Sequence, residues 1–230
     1  MPGTMQALSP ELLLCAYASG VFPMANDRHD PTIHWIEPRR RGILPLDRVH
    51  VSRSLRKVIR QARFEIRVDS AFAQVIAACA ECRPERPRTW LNDELLALYG
   101  ALHARGYAHS VETWAGGRLV GGIYGVSLGA AFFGESMFSH QRDASKVALV
   151  ELAARLRAGG YQLMDTQFVT DHLRRFGATE IPRAAYRAML RDAIEAPATF
   201  YGDTGGVLSL TPWSSAAGSI GSSQSTTQTS

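Results

Sequence analysis

Leu12, Leu13, Ala16 and Tyr17 recur at helical spacing after Ser9, a residue type that caps helix starts, and Gly20 ends the pattern. The spacing predicts a short helix over Pro10–Gly20 that runs into an extended loop at Phe22-Pro23-Met24. A connection rich in proline and arginine continues through Pro45, and a boundary there sets off a small N-terminal domain, residues 1–45. From Val51 onward, helical and alternating segments take turns. A basic helix is predicted over Ser52–Ala62, a strand over Phe64–Val68 and a helix over Ala71–Cys82. A loop with two prolines, Arg83–Arg88, leads to a helix over Asn92–Arg105, with an asparagine at its start and Gly106 after its end. Three strands then follow with little interruption: Ala108–Trp114, Arg118–Val126 and Ala130–Phe138. Ala115-Gly116-Gly117 joins the first pair in the manner of an antiparallel meander. A helix over Asp143–Ala158 stops at Gly159-Gly160, a strand covers Tyr161–Gln167, and helices cover Asp171–Phe176 and Arg183–Glu195.

Strand, two helices, three-strand meander, helix, strand and helix is the order of an α+β fold of the N-acetyltransferase-like kind, a mixed sheet with flanking helices, here over residues 46–213. Residues 214–230 hold Ser, Gly, Thr and Gln with no charge and no periodicity, which predicts a disordered tail. At 46% hydrophobic and 20% charged residues, the chain can build an ordinary core, which excludes a disordered protein or a disulfide-stapled miniature. There is no uncharged apolar run of about 18 residues, nor a charged start followed by an apolar block, so neither a membrane span nor a secretory signal is expected. Cys15, Cys79 and Cys82 are an odd number of cysteines, which points to the reducing cytoplasm.

The net charge of +4 is unevenly spread. Residues 37–67 hold ten Arg or Lys against Glu37, Asp47 and Glu65, a local net of +7, so the remainder carries −3. That block fits either a solvated face or an anionic partner such as a nucleic acid.

Most short motifs have plain structural readings. Gly116-Gly117 and Gly121-Gly122 do not lie between a strand and a helix, and no Gly-Lys-Ser/Thr follows, so they read as turn and packing glycines. Cys79-Ala80-Glu81-Cys82 is a lone pair where a structural zinc needs four ligands, and it reads as helix packing. His109 begins a strand and reads as structural. Glu135 differs, because it puts a carboxylate on a strand among Phe132, Phe133 and Phe138, where charge is costly without a partner. On the next predicted strand, Tyr161, Leu163, Asp165 and Gln167 share one face by the two-residue period. If the two strands are neighbours, Glu135, Asp165 and Gln167 converge on one cleft.

A series of motifs in one order then carries a family resemblance. It comprises Tyr17 with Gly20-Val21-Phe22-Pro23-Met24, His50 to Leu55, Thr89-Trp90, Leu102-His103, Ala108 to Glu112 and Leu119 to Gly125. It continues through Gly134 to Ser139, Ala144-Ser145-Lys146, Asp165-Thr166-Gln167 and Gly177 to Arg183. Over residues 10 to about 190 the chain closely resembles the leucyl/phenylalanyl-tRNA-protein transferases. The resemblance implies an enzyme that moves leucine or phenylalanine from charged tRNA to the α-amine of proteins beginning with Arg or Lys, marking them for degradation; because apolar walls discriminate by only roughly 1 to 3 kcal/mol per methylene, methionine is expected as a third donor. The sequence suggests no bound metal and no organic cofactor. A monomer is expected.

Residue by residue, the resemblance places the tRNA's terminal adenosine against Trp90 and Tyr99, with Met24 on one wall where some members carry tryptophan. It assigns the side-chain pocket to Ile123, Phe132 and Met137, and the tRNA contacts to Arg53, Lys57 and Arg60, inside the basic block. Strict alternation would set Phe132 and Glu135 on opposite faces, so the pocket requires a bulge near Gly134.

An aminoacyl ester is already activated, so placement should outweigh strong base catalysis. On that view Asp165 orients Gln167, Gln167 aligns the attacking amine, and Glu135 positions the amine and the aminoacyl end; Glu135 and Asp165 also supply counter-charge to a basic acceptor. Two rival functions share parts of this pattern. An acetyl-CoA-dependent N-acetyltransferase would share the fold but needs a glycine-rich turn where this chain has Ser139 to Ser145 without glycine. A non-catalytic RNA-binding module would explain Arg53 to Arg67 but not carboxylates set among aromatic strand residues.

Overall fold

The computed structural model describes residues 8–82 and 87–201. The proposed tail at 214–230 and part of the loop at 83–88 lie outside the described residues. In chain order the elements are α1 (Pro10–Ala18), β1 (Phe22–Ala25), β2 (Ile33–Ile36), β3 (Arg40–Ile43), α2 (Arg53–Arg60), β4 (Glu65–Val68), α3 (Phe72–Ala80) and α4 (Asp93–Ala104). They continue with β5 (Ala108–Ala115), β6 (Arg118–Leu128), β7 (Ala131–Ser139), α5 (Ala144–Ala158), β8 (Leu163–Gln167), α6 (Asp171–Arg174), β9 (Thr179–Pro182) and α7 (Arg183–Glu195).

The long elements stand where periodicity predicts them, and the helix starts have chemical causes. Ser9, Ser52, Asn92 and Thr170 each accept a backbone N–H of the first turn of α1, α2, α4 and α6. α3 has no such cap of its own. The buried carboxylate of Glu112 does the work from β5, accepting Ala71 N–H at 2.8 Å.

Four short strands depart from the expectation. The loop expected at Phe22-Pro23-Met24 is β1, paired antiparallel with β2. β3 and β9 join the large sheet, whose strand order is β4-β5-β6-β7-β8-β3-β9, with β7 and β8 parallel and the other described neighbours antiparallel. Local propensity opposes these strands, since β1 and β9 contain Pro23 and Pro182 and β3 contains two arginines; long-range pairing overrides it. The boundary expected at residue 45 therefore leaves on its N-terminal side a strand that is bonded inside the large sheet.

The sheet separates two cores. One, holding Tyr17, Phe22, Tyr99 and Phe133, lies beneath α1, α3, α4 and α7; the other, holding Leu55, Ile123, Phe132 and Leu152, lies beneath α2 and α5. The N-terminal segment docks on the first through Ala25 N–H, which donates to Trp90 O at 3.0 Å, and through an Arg28–Asp93 ion pair.

A bulge near Gly134 is present, but it does not bring Phe132 and Glu135 to one face: Phe132 lies in the second core, while Glu135 is bonded to Tyr99 of the first. Tyr124 pairs with Ser136 and Gly125 with Gly134, so Glu135 is the extra residue on β7. The insertion reverses the alternation: Phe133 and Phe138, an odd number of positions apart, share one core. Backbones crowd here, and a Cβ on Gly125 would lie 2.2 Å from Phe133 O and 2.5 Å from a Phe132 ring carbon. Gly125→Ala should therefore lower stability by roughly 3 kcal/mol. Gly100→Ala, in α4 with open space around it, should raise it by about 1 kcal/mol. Urea unfolding of both variants checks this; equal effects would mean that the bulge tolerates a methyl group.

Candidate functional site

β7 and β8 pair only from Ala131↔Leu163 to Phe133↔Asp165, after which β7 runs on to Ser139 while β8 ends at Gln167 beside Gly42 of β3. The strands part at the bulge, and a cavity of about 640 Å³ opens there. Phe22, Met24 and Trp90 line it from the first core; Ile123, Met137 and Met164 line it from the second, with Leu149 of α5 beside them. Glu135 and Gln167, on the strand ends that frame the gap, also line it.

Gln167 has φ 55, a region that non-glycine residues rarely adopt. Phe168 N–H donates to Thr166 O at 2.6 Å across it, so Gln167 is the central residue of a γ-turn of the strained, positive-φ kind. Its own N–H donates to Asp165 Oδ1 at 2.8 Å. Its side-chain Nε2 donates to Glu135 Oε1 at 3.2 Å. An ionised carboxylate only accepts, so this bond fixes the amide and leaves Gln167 Oε1 free to accept a hydrogen bond.

Glu135 is held from the other side. Tyr99 O–H donates to Glu135 Oε2 at 3.0 Å, and Tyr17 and Tyr99 hydroxyls lie 2.7 Å apart. Burial, and then the charge of Glu135, push the Tyr99 phenol well above its ordinary range, so it remains a donor. Burial pushes Glu135 up to about 7, against the pull of the tyrosine hydroxyls.

Asp165 is fully buried beneath this layer, against Arg41, which is 1% exposed. Arg41 Nε donates to Oδ1 at 2.9 Å and Nη2 to Oδ2 at 2.6 Å, a fork geometry, while Nη1 donates to Gly20 O at 2.8 Å. Tyr186 O–H donates to Asp165 Oδ2 at 2.7 Å. The Phe22 and Tyr186 rings lie 4.5 and 4.6 Å from the guanidinium. Burial works against the Arg41 charge, but the Asp165 hydrogen bonds and charge more than reverse it and raise its pKa.

Several expectations need correction. Asp165 does not hold the Gln167 side-chain amide; Glu135 does, and Asp165 holds the Gln167 backbone. Asp165 also cannot serve as counter-charge to an acceptor, because Arg41 already neutralises it out of reach of the cavity. Tyr99 is 0% exposed and presents no face for stacking; it positions Glu135 instead. Phe132 shares the second core with Ile123 but lies below the cavity, its ring stacked on Phe200 at 5.7 Å. Trp90, Met24, Ile123 and Met137 do line the cavity. Arg53, Lys57 and Arg60 are exposed on α2, with Arg56 beside them, while Leu55, Val58 and Ile59 are buried. α2 packs on α5, whose Ser145 and Leu149 line the cavity.

Arg41, Tyr17 and Tyr186 received no role from the sequence. Arg41 reads there as one more arginine of a basic run, and its partner lies 124 positions away. His109 lies outside the cavity, its Nδ1 2.8 Å from Asp69 and its ring stacked on Phe200 at 4.1 Å.

An apolar recess beside a fixed amide and carboxylate holds one end of a molecule while presenting the other for reaction, the layout of a group-transfer enzyme. Known proteins agree with that class. The family model described as leucyl/phenylalanyl-tRNA protein transferase matches residues 43–191, and that of its N-terminal domain matches residues 6–39. Relatives named leucyl/phenylalanyl-tRNA--protein transferase come from Paramagnetospirillum magneticum, 57% identical over 85% of this chain and 94% of the relative, and from Maricaulis maris, 57% identical over 85% and 91%. Another, from Caulobacter vibrioides, is 55% identical over 89% and 94%. The chain belongs to the leucyl/phenylalanyl-tRNA protein transferase family.

The Glu135 environment has a measurable signature. The native state keeps this proton up to about pH 7, whereas an unfolded glutamate releases it near 4.5. The residue's contribution to stability therefore falls as pH rises between those values and is constant above them. The stability of Glu135→Gln relative to the parent should rise from pH 4.5 to 7 and then level off. Parallel urea-unfolding curves across that range test it; a pH-independent difference would mean that Glu135 titrates as an ordinary carboxyl.

Proposed function

We propose that this chain transfers leucine or phenylalanine, with methionine as a third donor, from charged tRNA to the α-amine of proteins beginning with Arg or Lys, and so creates a degradation signal. The observation that carries the mechanism is the Gln167 amide, locked by Glu135 on one side and by a strained backbone on the other, at the mouth of an apolar cavity. We further read the fold as N-acetyltransferase-like, since the parting of two parallel strands makes the cleft, and the protein as a cytoplasmic monomer. Among the described residues no helix is long and apolar enough to cross a membrane.

In this reading Trp90 and Met24 receive the terminal adenosine and the apolar wall of Ile123, Met137 and Met164 receives the donor side chain. Thioethers adapt their shape, which suits a pocket that takes both a branched and a planar group. The acceptor's α-amine donates to Gln167 Oε1, which aligns its lone pair on the ester carbonyl. An α-amine titrates near 8, so alignment suffices without a strong base: the amide C–N bond forms as the ester C–O bond breaks, and the proton the amine loses passes through solvent to the departing tRNA ribose oxygen. Glu135, ionised above about pH 7, keeps the amide turned the right way. Asp165 and Arg41 are positioning residues that hold the Gln167 backbone.

Transfer of labelled leucine and phenylalanine from charged tRNA to a peptide beginning with Arg, with an N-acetylated twin as control, tests the activity. Label on the free peptide alone is expected. Gln167→Ala should reduce kcat by roughly 100-fold, and unchanged turnover would remove Gln167 from the mechanism.

The exposed face of α2 would hold tRNA phosphates without reading sequence. Each phosphate contact contributes about 0.9 to the slope of log affinity against log salt. Replacing Arg53, Lys57 and Arg60 together by Gln should therefore flatten that slope by roughly 3. An unchanged slope in filter binding at several salt concentrations would place the tRNA elsewhere.

A further inference from the structure

We propose that Phe168 recognises the basic side chain of the acceptor's first residue through its ring face. This rests on the transfer reading above and names the residue that would give it acceptor specificity.

A site selective for Arg or Lys needs a partner for a cation, and the nearby carboxylates are engaged. Asp165 is closed in by Arg41 and Tyr186. Glu135 accepts from Tyr99 and Gln167. Asp171, at the start of α6, is bonded to Arg174 at 2.8 Å in the open solvent, where such a pair discriminates little. Phe168 is the next residue after Gln167, lines the same cavity and is 46% exposed.

Its ring is placed with care for an exposed residue. The backbone N–H of Phe168 closes the turn at Gln167, so one strained segment aims both side chains. The ring meets Phe22 at 82° and 5.6 Å, and Phe22 in turn lies against the buried Arg41 guanidinium. Among the described residues no cation lies over Phe168 itself. An α-amine held at Gln167 Oε1 and the side chain of the same residue leave one carbon atom, so a side chain with a long aliphatic stem can lay its charged end on a ring presented one position along the chain. Lysine ammonium and arginine guanidinium are both attracted to a ring face within about 6 Å of its centre. A ring accepts either cation, whereas a forked carboxylate contact would favour arginine.

The test uses the full chain, charged tRNA and peptides that begin with Arg, Lys, citrulline or norleucine. Phe168 is replaced by Leu, and separately by phenylalanine carrying one, two or three ring fluorines, which drain the ring face while preserving its shape. The readout is the ratio of kcat/KM for the Arg or Lys peptide to that for the norleucine peptide. The ratio should fall stepwise with each fluorine, and by roughly tenfold in Phe168→Leu. A ratio that stays constant while all acceptors weaken together would make Phe168 a structural residue and overturn the inference. A constant ratio with a raised KM for charged tRNA would assign the ring to a nucleobase and overturn it equally. Failure of the unsubstituted protein to label any peptide is a separate result, which defeats the transfer reading itself.

Discussion

The site hangs on one buried ion pair. Arg41 and Asp165 sit in the core with their forked hydrogen bonds satisfied, one remaining guanidinium donor given to the Gly20 carbonyl and a tyrosine hydroxyl completing the carboxylate. Removing one partner of such a pair costs about 3 to 5 kcal/mol because a naked charge remains behind. Its use here is geometric. It ties the end of α1, the strand β3, the strand β8 and the helix α7 to a single point, and from that point Asp165 reaches the Gln167 backbone. The left-handed conformation of Gln167 persists because this neutralised carboxylate over-determines it.

The second constraint is the inserted residue on β7. A regular strand would keep Phe133, Glu135 and Met137 on one face and hold β7 and β8 together. The bulge leaves the carboxylate facing Tyr99 but carries Met137 to the other core and sharpens the twist where the two parallel strands separate. Recess, amide and carboxylate thus share a common origin. Burial raises the proton affinity of Glu135 and the tyrosine hydroxyls pull it back, which leaves it poised near neutrality.

Much of this was legible in the chain itself. Periodicity located the long helices and the meander, the phenylalanines around Glu135 marked an unusual carboxylate, and a bulge falls near Gly134, though Phe132, the wall it was to bring to the pocket, lies outside the cavity. What stayed hidden depends on distant partners. β3 and β9 are four residues each, rich in arginine or interrupted by proline, and become strands because β3 pairs between β8 and β9 and β9 pairs on the edge of β3. Arg41 is chemically identical to Arg39 and Arg40, and nothing local distinguishes the one that is buried from those left outside. Tyr99 falls on a helix whose inward face is plain, but its hydroxyl partner lies on another element, so the local pattern shows an aromatic ring and not the hydrogen-bond donor.

The order of the strands bears on how the protein comes into being. β3 leaves the ribosome early, yet both of its neighbours, β8 and β9, lie more than a hundred positions later. Until they are synthesised, Arg41 has no carboxylate, β3 has two open edges and the Gln167 turn does not exist. A nascent chain can assemble the meander and its helices first, but it gains a working site only when nearly the whole described length has emerged. An unfinished copy is thereby silent, and an enzyme that would mark other proteins for destruction cannot act before it is itself complete.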